Sequence, residues 1–123
     1  MPSARRALGR FGEDAAAKHL ATRGYTLIAR NWRCPIGEID LVARQGDQLV
    51  FVEVKTRRRG PWQPEESVGP VKARRLAALA YTYLEQTGVS AETPWRIDVI
   101  AVEINPAGQI TRLEQIEYAV AGD

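Results

Sequence analysis

Apolar side chains recur at helical spacing at Ala4, Leu8, Phe11, Ala15, Ala16 and Leu20, with His19 on the same stripe. Ser3 before them is a helix-capping residue type and Gly24 after them a helix-ending one, so a first helix is expected over about Ala4–Arg23. From Tyr25 the period shortens to two, and Tyr25–Arg33, Gly37–Arg44 and Gln48–Thr56 read as three strands. Arg57–Ser67 holds three consecutive arginines, Gly60, two prolines and Trp62 and reads as an exposed loop. Pro70 then opens a second helix whose apolar stripe is Leu76, Leu79, Ala80, Tyr83 and Leu84, ended by Gly88. Trp95–Ile104 is a fourth strand, Asn105–Gln109 a turn, and Ile110–Val120 a short element whose type the pattern leaves open. Gly9 and Gly12 each cost the first helix up to ~1 kcal/mol relative to alanine, and close packing against a neighbour is the expected reason for both.

The order is therefore α, three β, α, β, within one domain spanning residues 1–123. Short connections make the first three strands an antiparallel meander, and the second helix supplies a crossover to the fourth, giving an α/β fold with a mixed sheet. Gly46-Asp47, flanked by Gln45 and Gln48, suits a two-residue hairpin turn. Counting outward from it, Asp40 falls opposite Glu53 and Glu38 opposite Lys55, on one face of the sheet. Opposed carboxylates destabilise a strand pair, and this pair stands among apolar residues, with Val50, Val52 and Val54 on one face of the strand and Leu49 and Phe51 on the other. A divalent cation would offset that cost, since Mg²⁺ takes a few carboxylates, waters and substrate phosphate. Such a site acts on phosphodiesters by polarising an oxygen and acidifying water, with Lys55 placed to orient the water or neutralise developing charge. The competing reading is a cross-strand ion-pair network in which Lys55 neutralises Glu38 and Glu53.

Net charge is only +2, but residues 1–75 carry 15 Lys and Arg against 8 Asp and Glu, and residues 76–123 carry 2 against 7. That asymmetry is expected of a basic face that meets a polyanion, or of a solvated surface. Cys34, the sole cysteine, excludes an internal disulfide and a cysteine-based zinc site and is read as packing. His19 has no second histidine and is read as structural. No apolar run is long enough to span a bilayer, and no apolar stretch follows the N-terminal arginines, so a cytoplasmic protein without membrane contact is expected. Nucleophilic triads, phosphate-binding glycine loops and HExxH are absent.

Asp40 within GEIDLVA, followed across the hairpin by Glu53 and Lys55 within FVEVKTR, resembles the D…ExK signature of the PD-(D/E)xK nuclease superfamily. More narrowly, GRFGEDAAAKHL, GYTLIARNWR and RIDVIAV extend a resemblance to the YraN-like family of small bacterial proteins, themselves similar to archaeal Holliday-junction resolvases. The resemblance implies a restriction-endonuclease-like αβββαβ core. It also implies that Asp40, Glu53 and the Val54 carbonyl are metal ligands and Lys55 the catalytic lysine. Glu13 matches a helix acid that assists the metal, although an exposed helix glutamate explains it as well. Ile39 stands where the superfamily pattern has a proline, one often lost.

Arg57, Arg58, Arg59, Lys72, Arg74 and Arg75 lie close in sequence to this cluster and are expected phosphate contacts, which position a duplex without reading it. Trp62 is a candidate for stacking on an unpaired base or for packing under the loop. The expected function is a Mg²⁺- or Mn²⁺-dependent endonuclease acting on branched or damaged DNA, with RNA still open as substrate and a homodimer implied by likeness to resolvases. The alternative is a non-catalytic module that binds nucleic acid or a protein partner.

Overall fold

The computed structural model describes residues 4–58, 60 and 68–120. Its elements are α1 (Ala4–Thr22), β1 (Thr26–Cys34), β2 (Gly37–Gln45), β3 (Gln48–Arg58), α2 (Pro70–Thr87), β4 (Trp95–Ile104) and β5 (Ile110–Ile116). The strands form one mixed sheet in the order β1-β2-β3-β4-β5, antiparallel throughout except for the β3/β4 pair, which α2 joins as a crossover. This is the expected α/β core, and the open segment after the turn becomes β5, an added edge strand.

Period-two alternation gives the sheet two apolar faces, each covered by one helix. Leu41, Ala43, Val50, Val52, Ile100 and Val102 face Ala16, Ala17 and Leu20 of α1, while Val42, Leu49, Phe51 and Ile97 face Leu79, Ala80 and Tyr83 of α2. Each fully buried Val, Leu or Ile among them is worth about 1.5–3 kcal/mol. Phe11 departs from its expected core position: it is 41% exposed, and Leu8 and Gly12 carry that stretch of α1. Gly12 has the packing reason expected of it, because a Cβ there would lie 1.7 Å from Thr56 Oγ1. Gly9 does not, since nothing comes within 4 Å of its added Cβ.

β3 runs on to Arg58, past the strand end expected at Thr56. Parallel pairing continues through Arg57↔Glu103 and Arg58↔Ile104, so both arginines belong to β3, held there by the length of β4. Ser3, Arg59 and Trp62 lie outside the described residues. No helix among the described residues is long and apolar enough to cross a membrane.

One buried polar cluster has no counterpart in the sequence reading. Arg96 and Asp98, 4% and 0% exposed, pair at 2.9 Å on the α1 face of β4. The guanidinium also donates to the Tyr25 hydroxyl and to the Gln45 and Gln48 side chains, while Asp98 accepts from Gln115 and from the Tyr118 N–H. His19 meets Gln115 at 3.1 Å, which ties α1 to the same network. All partners are satisfied, as a buried pair requires, and the cluster fastens the hairpin end of the sheet.

Candidate metal centre

The hairpin register holds from Gln45↔Gln48 to Leu41↔Val52, with Gly46 at φ 61° supplying the positive φ a tight hairpin turn requires. Beyond Val52 the count no longer describes backbone pairs. There β2 continues along β1 as far as Cys34↔Gly37, β3 continues along β4 as far as Arg58, and the two halves of the sheet part. Asp40 sits in the opening, and its Oδ2 accepts the Val54 N–H at 2.8 Å in place of a backbone carbonyl. In an extended strand the N–H and C=O of one residue point to the same edge, so the Val54 carbonyl also faces this gap.

The expected pairing of Glu38 with Lys55 is replaced. Glu38 takes Arg33 at 2.9 Å, and its carboxylate stands with those of Glu13 and Asp40 in a group whose ligand atoms all lie within 4.8 Å of one another. Glu13 reaches this point from α1. The straight count gives Glu38 to Lys55 and so does not mark it as a ligand; its position two residues before Asp40 on one strand is the available signal.

Glu53 approaches from β3 and shares a hydrogen bond with Asp40, while its Oε2 receives Lys72 Nζ of α2 at 2.8 Å. Lys72, expected among the phosphate contacts, is thereby a member of the site, its side chain 31% exposed and that of Glu53 15%. The cause is the crossover, which sets the first turn of α2 over the end of β3. Lys55 is half-buried beside both, with Arg57 near it on the same face.

Charge crowding perturbs these groups. Burial, then the hydrogen bond and charge of Glu53, push the Asp40 carboxyl up to about 8, against the pull of the Val54 N–H. Burial also raises Glu13, with Glu38 adding and an Asn31 side-chain hydrogen bond opposing. Burial and the neighbouring Lys72 lower the Lys55 amine, and Glu53 holds Lys72 above its ordinary value although burial works the other way. The donor set fits a hard divalent cation: oxygen atoms only, close together, and one carboxyl that resists ionising without compensation.

Asn31 was also missed. It stands in β1 between Arg30 and Trp32, which pair with Leu41 and Ile39, and so lies across from Asp40. Its φ of 53° is left-handed, a strained setting for a strand residue, and its side chain bonds Glu13.

Among the clefts that reach the cluster, two offer room for a ligand on either side of it. One of about 620 Å³ runs along the first turns of α2 between Glu38, Glu53, Lys72 and Arg75. The other, about 320 Å³, lies against α1 and reaches Glu13. Of the other expected phosphate contacts, Arg57, Arg58, Arg74 and Arg75 are exposed and Arg59 is not described.

A family model described as "Uncharacterised protein family UPF0102" matches residues 12–102, a span that contains every acid and lysine of this cluster. The chain is similar to proteins named only as UPF0102 proteins. One from Chloroflexus aurantiacus is 51% identical over 123 residues, covering 100% of both chains. One from Roseiflexus castenholzii is 49% identical over 121 residues, covering 98% of each, and one from Moorella thermoacetica is 43% identical over 120 residues, covering 97% of this chain and 99% of its own. Among solved structures, SfsA of Pyrococcus furiosus in complex with Ca²⁺ aligns over 96% of this chain and 65% of its own length, at 16% identity and a TM-score of 0.43.

Proposed function

The chain belongs to UPF0102, the family of the YraN-like proteins its motifs resemble, and since that family is described without an activity we propose one from the site itself: metal-dependent endonucleolytic hydrolysis of DNA phosphodiester bonds. The observation that carries the reading is the meeting of Glu13, Glu38 and Asp40 oxygens within 4.8 Å, next to Glu53 and Lys55, where the sheet opens. Asp40, Glu53 and the Val54 carbonyl would hold Mg²⁺ or Mn²⁺, with Glu13 and Glu38 completing its surroundings directly or through water. A cation there supplies Lewis acidity toward a phosphoryl oxygen and lowers the pKa of water.

The protein's own groups supply the rest. Lys55 lies two residues beyond Glu53 on the same face, and with its amine pulled toward the neutral form it can accept a proton from water or donate to the phosphoryl oxygens. The half-buried setting limits water and strengthens each of these interactions. Arg57, Arg58, Arg74 and Arg75 would contact phosphates on either side, favouring structure over sequence in the choice of substrate. Branched and damaged DNA are the substrates proposed first, bound by a homodimer.

A second reading rests on Lys72. Its ammonium occupies Glu53 at 2.8 Å, as a metal-free ion-pair network requires, and a non-catalytic binding module would keep that arrangement. Cleavage of single-stranded, duplex and four-way DNA in Mg²⁺ or Mn²⁺, with RNA as control, separates the two. The nuclease reading expects cutting that Asp40→Asn and Lys55→Ala each reduce at least about 100-fold. Cutting that survives both variants at the wild-type rate, or DNA binding with no cutting of any substrate, rejects it.

A further inference from the structure

We propose that the cleft between the first half of α1 and β1 is a phosphate subsite, which takes a backbone phosphate of the nucleic acid strand next to the one presented to the acidic cluster. It deepens the nuclease reading and rests on it for the identity of the ligand.

The cleft is lined by Arg6, Gly9, Arg10, Glu13, Asn31 and Arg33 and has a volume of about 320 Å³. Three guanidinium groups border it against one carboxylate of the wall, and that carboxylate belongs to the cluster of Glu13, Glu38 and Asp40. The lining is therefore net positive, and Glu13 is the residue through which it joins the acids. Arg10 forms no ion pair among the described residues. Arg33 is tied to Glu38 through Nε alone, with its side chain 79% exposed, which leaves the rest of the planar fork open to a phosphate.

Gly9 supplies an independent argument. Glycine in a helix interior costs up to ~1 kcal/mol, and here no neighbour comes within 4 Å of an added Cβ, so packing does not explain it. Its place on the cleft wall does: Gly9 lines the same space as Arg6, Arg10 and Asn31, and its added Cβ would meet no atom within 4 Å, so the absence of a side chain keeps open space open. The opposite cleft along α2 carries Lys72 and Arg75. A strand whose reacting phosphate sits at the cluster thus finds cationic side chains on both sides of it, from α2 on one and from α1 on the other.

The test measures binding of fluorescein-labelled duplex and four-way DNA across a salt series in Ca²⁺, with Arg10→Gln, Gly9→Leu and, as a control on the exposed side of α1, Lys18→Gln. Arg10→Gln should reduce the slope of log affinity against log salt by about 0.9, the value for one lost duplex phosphate contact. Gly9→Leu, which favours the helix and fills the cleft, should weaken binding several-fold while raising the melting temperature, so a folding defect cannot imitate the result. Lys18→Gln should match the wild type. Wild-type slope and affinity in both Arg10→Gln and Gly9→Leu, with the wild-type protein binding, overturn the subsite and leave the nuclease reading standing. Binding that depends on the cleft without cleavage removes the nuclease reading and keeps the subsite, and a wild-type protein that binds no DNA removes both.

Discussion

Asp40 Oδ2 accepts the Val54 N–H at 2.8 Å, so a side chain of β2 bonds β3 at the point where the backbones of the two strands separate. The bond pins a carboxyl in a buried place beside Glu53, and its pKa near 8 follows from that crowding. An aspartate in the unfolded chain loses its proton near 3.8. Between those two values the folded state holds more protons than the unfolded one, so stability falls as pH rises. In the presence of a chelator, the melting temperature should fall between about pH 5 and about pH 8, with Glu13, also raised, contributing in the same sense. Asp40→Asn should flatten the profile and abolish Mn²⁺ binding, while Mn²⁺ added to the wild type near pH 8 should restore the melting temperature by mass action. A flat wild-type profile, or an equal slope in Asp40→Asn, contradicts this account.

The Lys72 ammonium on Glu53 bears on the same site from the other side. Removing one partner of a largely buried pair leaves the other charge uncompensated, so Lys72→Met should destabilise the metal-free protein by about 1–3 kcal/mol. A cation at Glu53 would then meet less competition and relieve more strain, so Mn²⁺ affinity should rise, by roughly tenfold per 1.4 kcal/mol transferred to binding. Calorimetric titration of both proteins decides it. Weaker Mn²⁺ binding in Lys72→Met would mean that the lysine organises the acids rather than standing in for a cation.

Local sequence pattern determines this fold as far as its regular structure extends. Gly46-Asp47 and the alternation around it gave the pairing correctly down to Leu41↔Val52, because a tight turn fixes register and period two fixes the faces. Carrying the count three steps further, to Glu38 and Lys55, assumes an unbroken ladder, and the site exists because the ladder breaks: Asp40 reaches Val54, and Glu38 turns to Glu13 and Arg33. Sequence places Lys72 with the phosphate contacts, because its bond to Glu53 depends on where a crossover helix lands, which no local pattern encodes. The Arg96 and Asp98 pair was invisible for a similar reason, since its partners at Tyr25, Gln45, Gln48 and Gln115 come from distant parts of the chain.

Asn31 separates backbone strain from side-chain function. Its φ of 53° costs a non-glycine residue about 1 kcal/mol or more, while its side chain bonds Glu13. Asn31→Gly should keep or slightly raise stability, because glycine adopts this φ freely, and Asn31→Ala should lose about 1–2 kcal/mol. Both remove the bond to Glu13, so both should weaken Mn²⁺ binding to the same degree despite opposite effects on melting. Metal affinity that tracks melting temperature across the pair would assign Asn31 to the backbone alone.

α1 lies tight against the sheet at Gly12, where an added Cβ would meet Thr56 Oγ1 at 1.7 Å and Thr56 Cβ at 2.8 Å. Thr56 does not yield easily, because it sits within β3 and is paired with β4 opposite Val102. Gly12→Ala must therefore push the helix outward, at a cost of about 1–3 kcal/mol for overpacking. Glu13 is the next residue, so the same displacement withdraws one carboxylate from the group it forms with Glu38 and Asp40. Mn²⁺ affinity should fall with stability in this variant. Thr56→Val isolates the other half of the contact: Oγ1 is buried and has no hydrogen-bond partner among the described residues, so replacing the hydroxyl by a methyl of similar volume should raise stability by about 1 kcal/mol. That substitution leaves the helix where it is, and Mn²⁺ binding should be unchanged. If Gly12→Ala melted like the wild type and bound Mn²⁺ equally well, the spacing between α1 and β3 would not be what places Glu13.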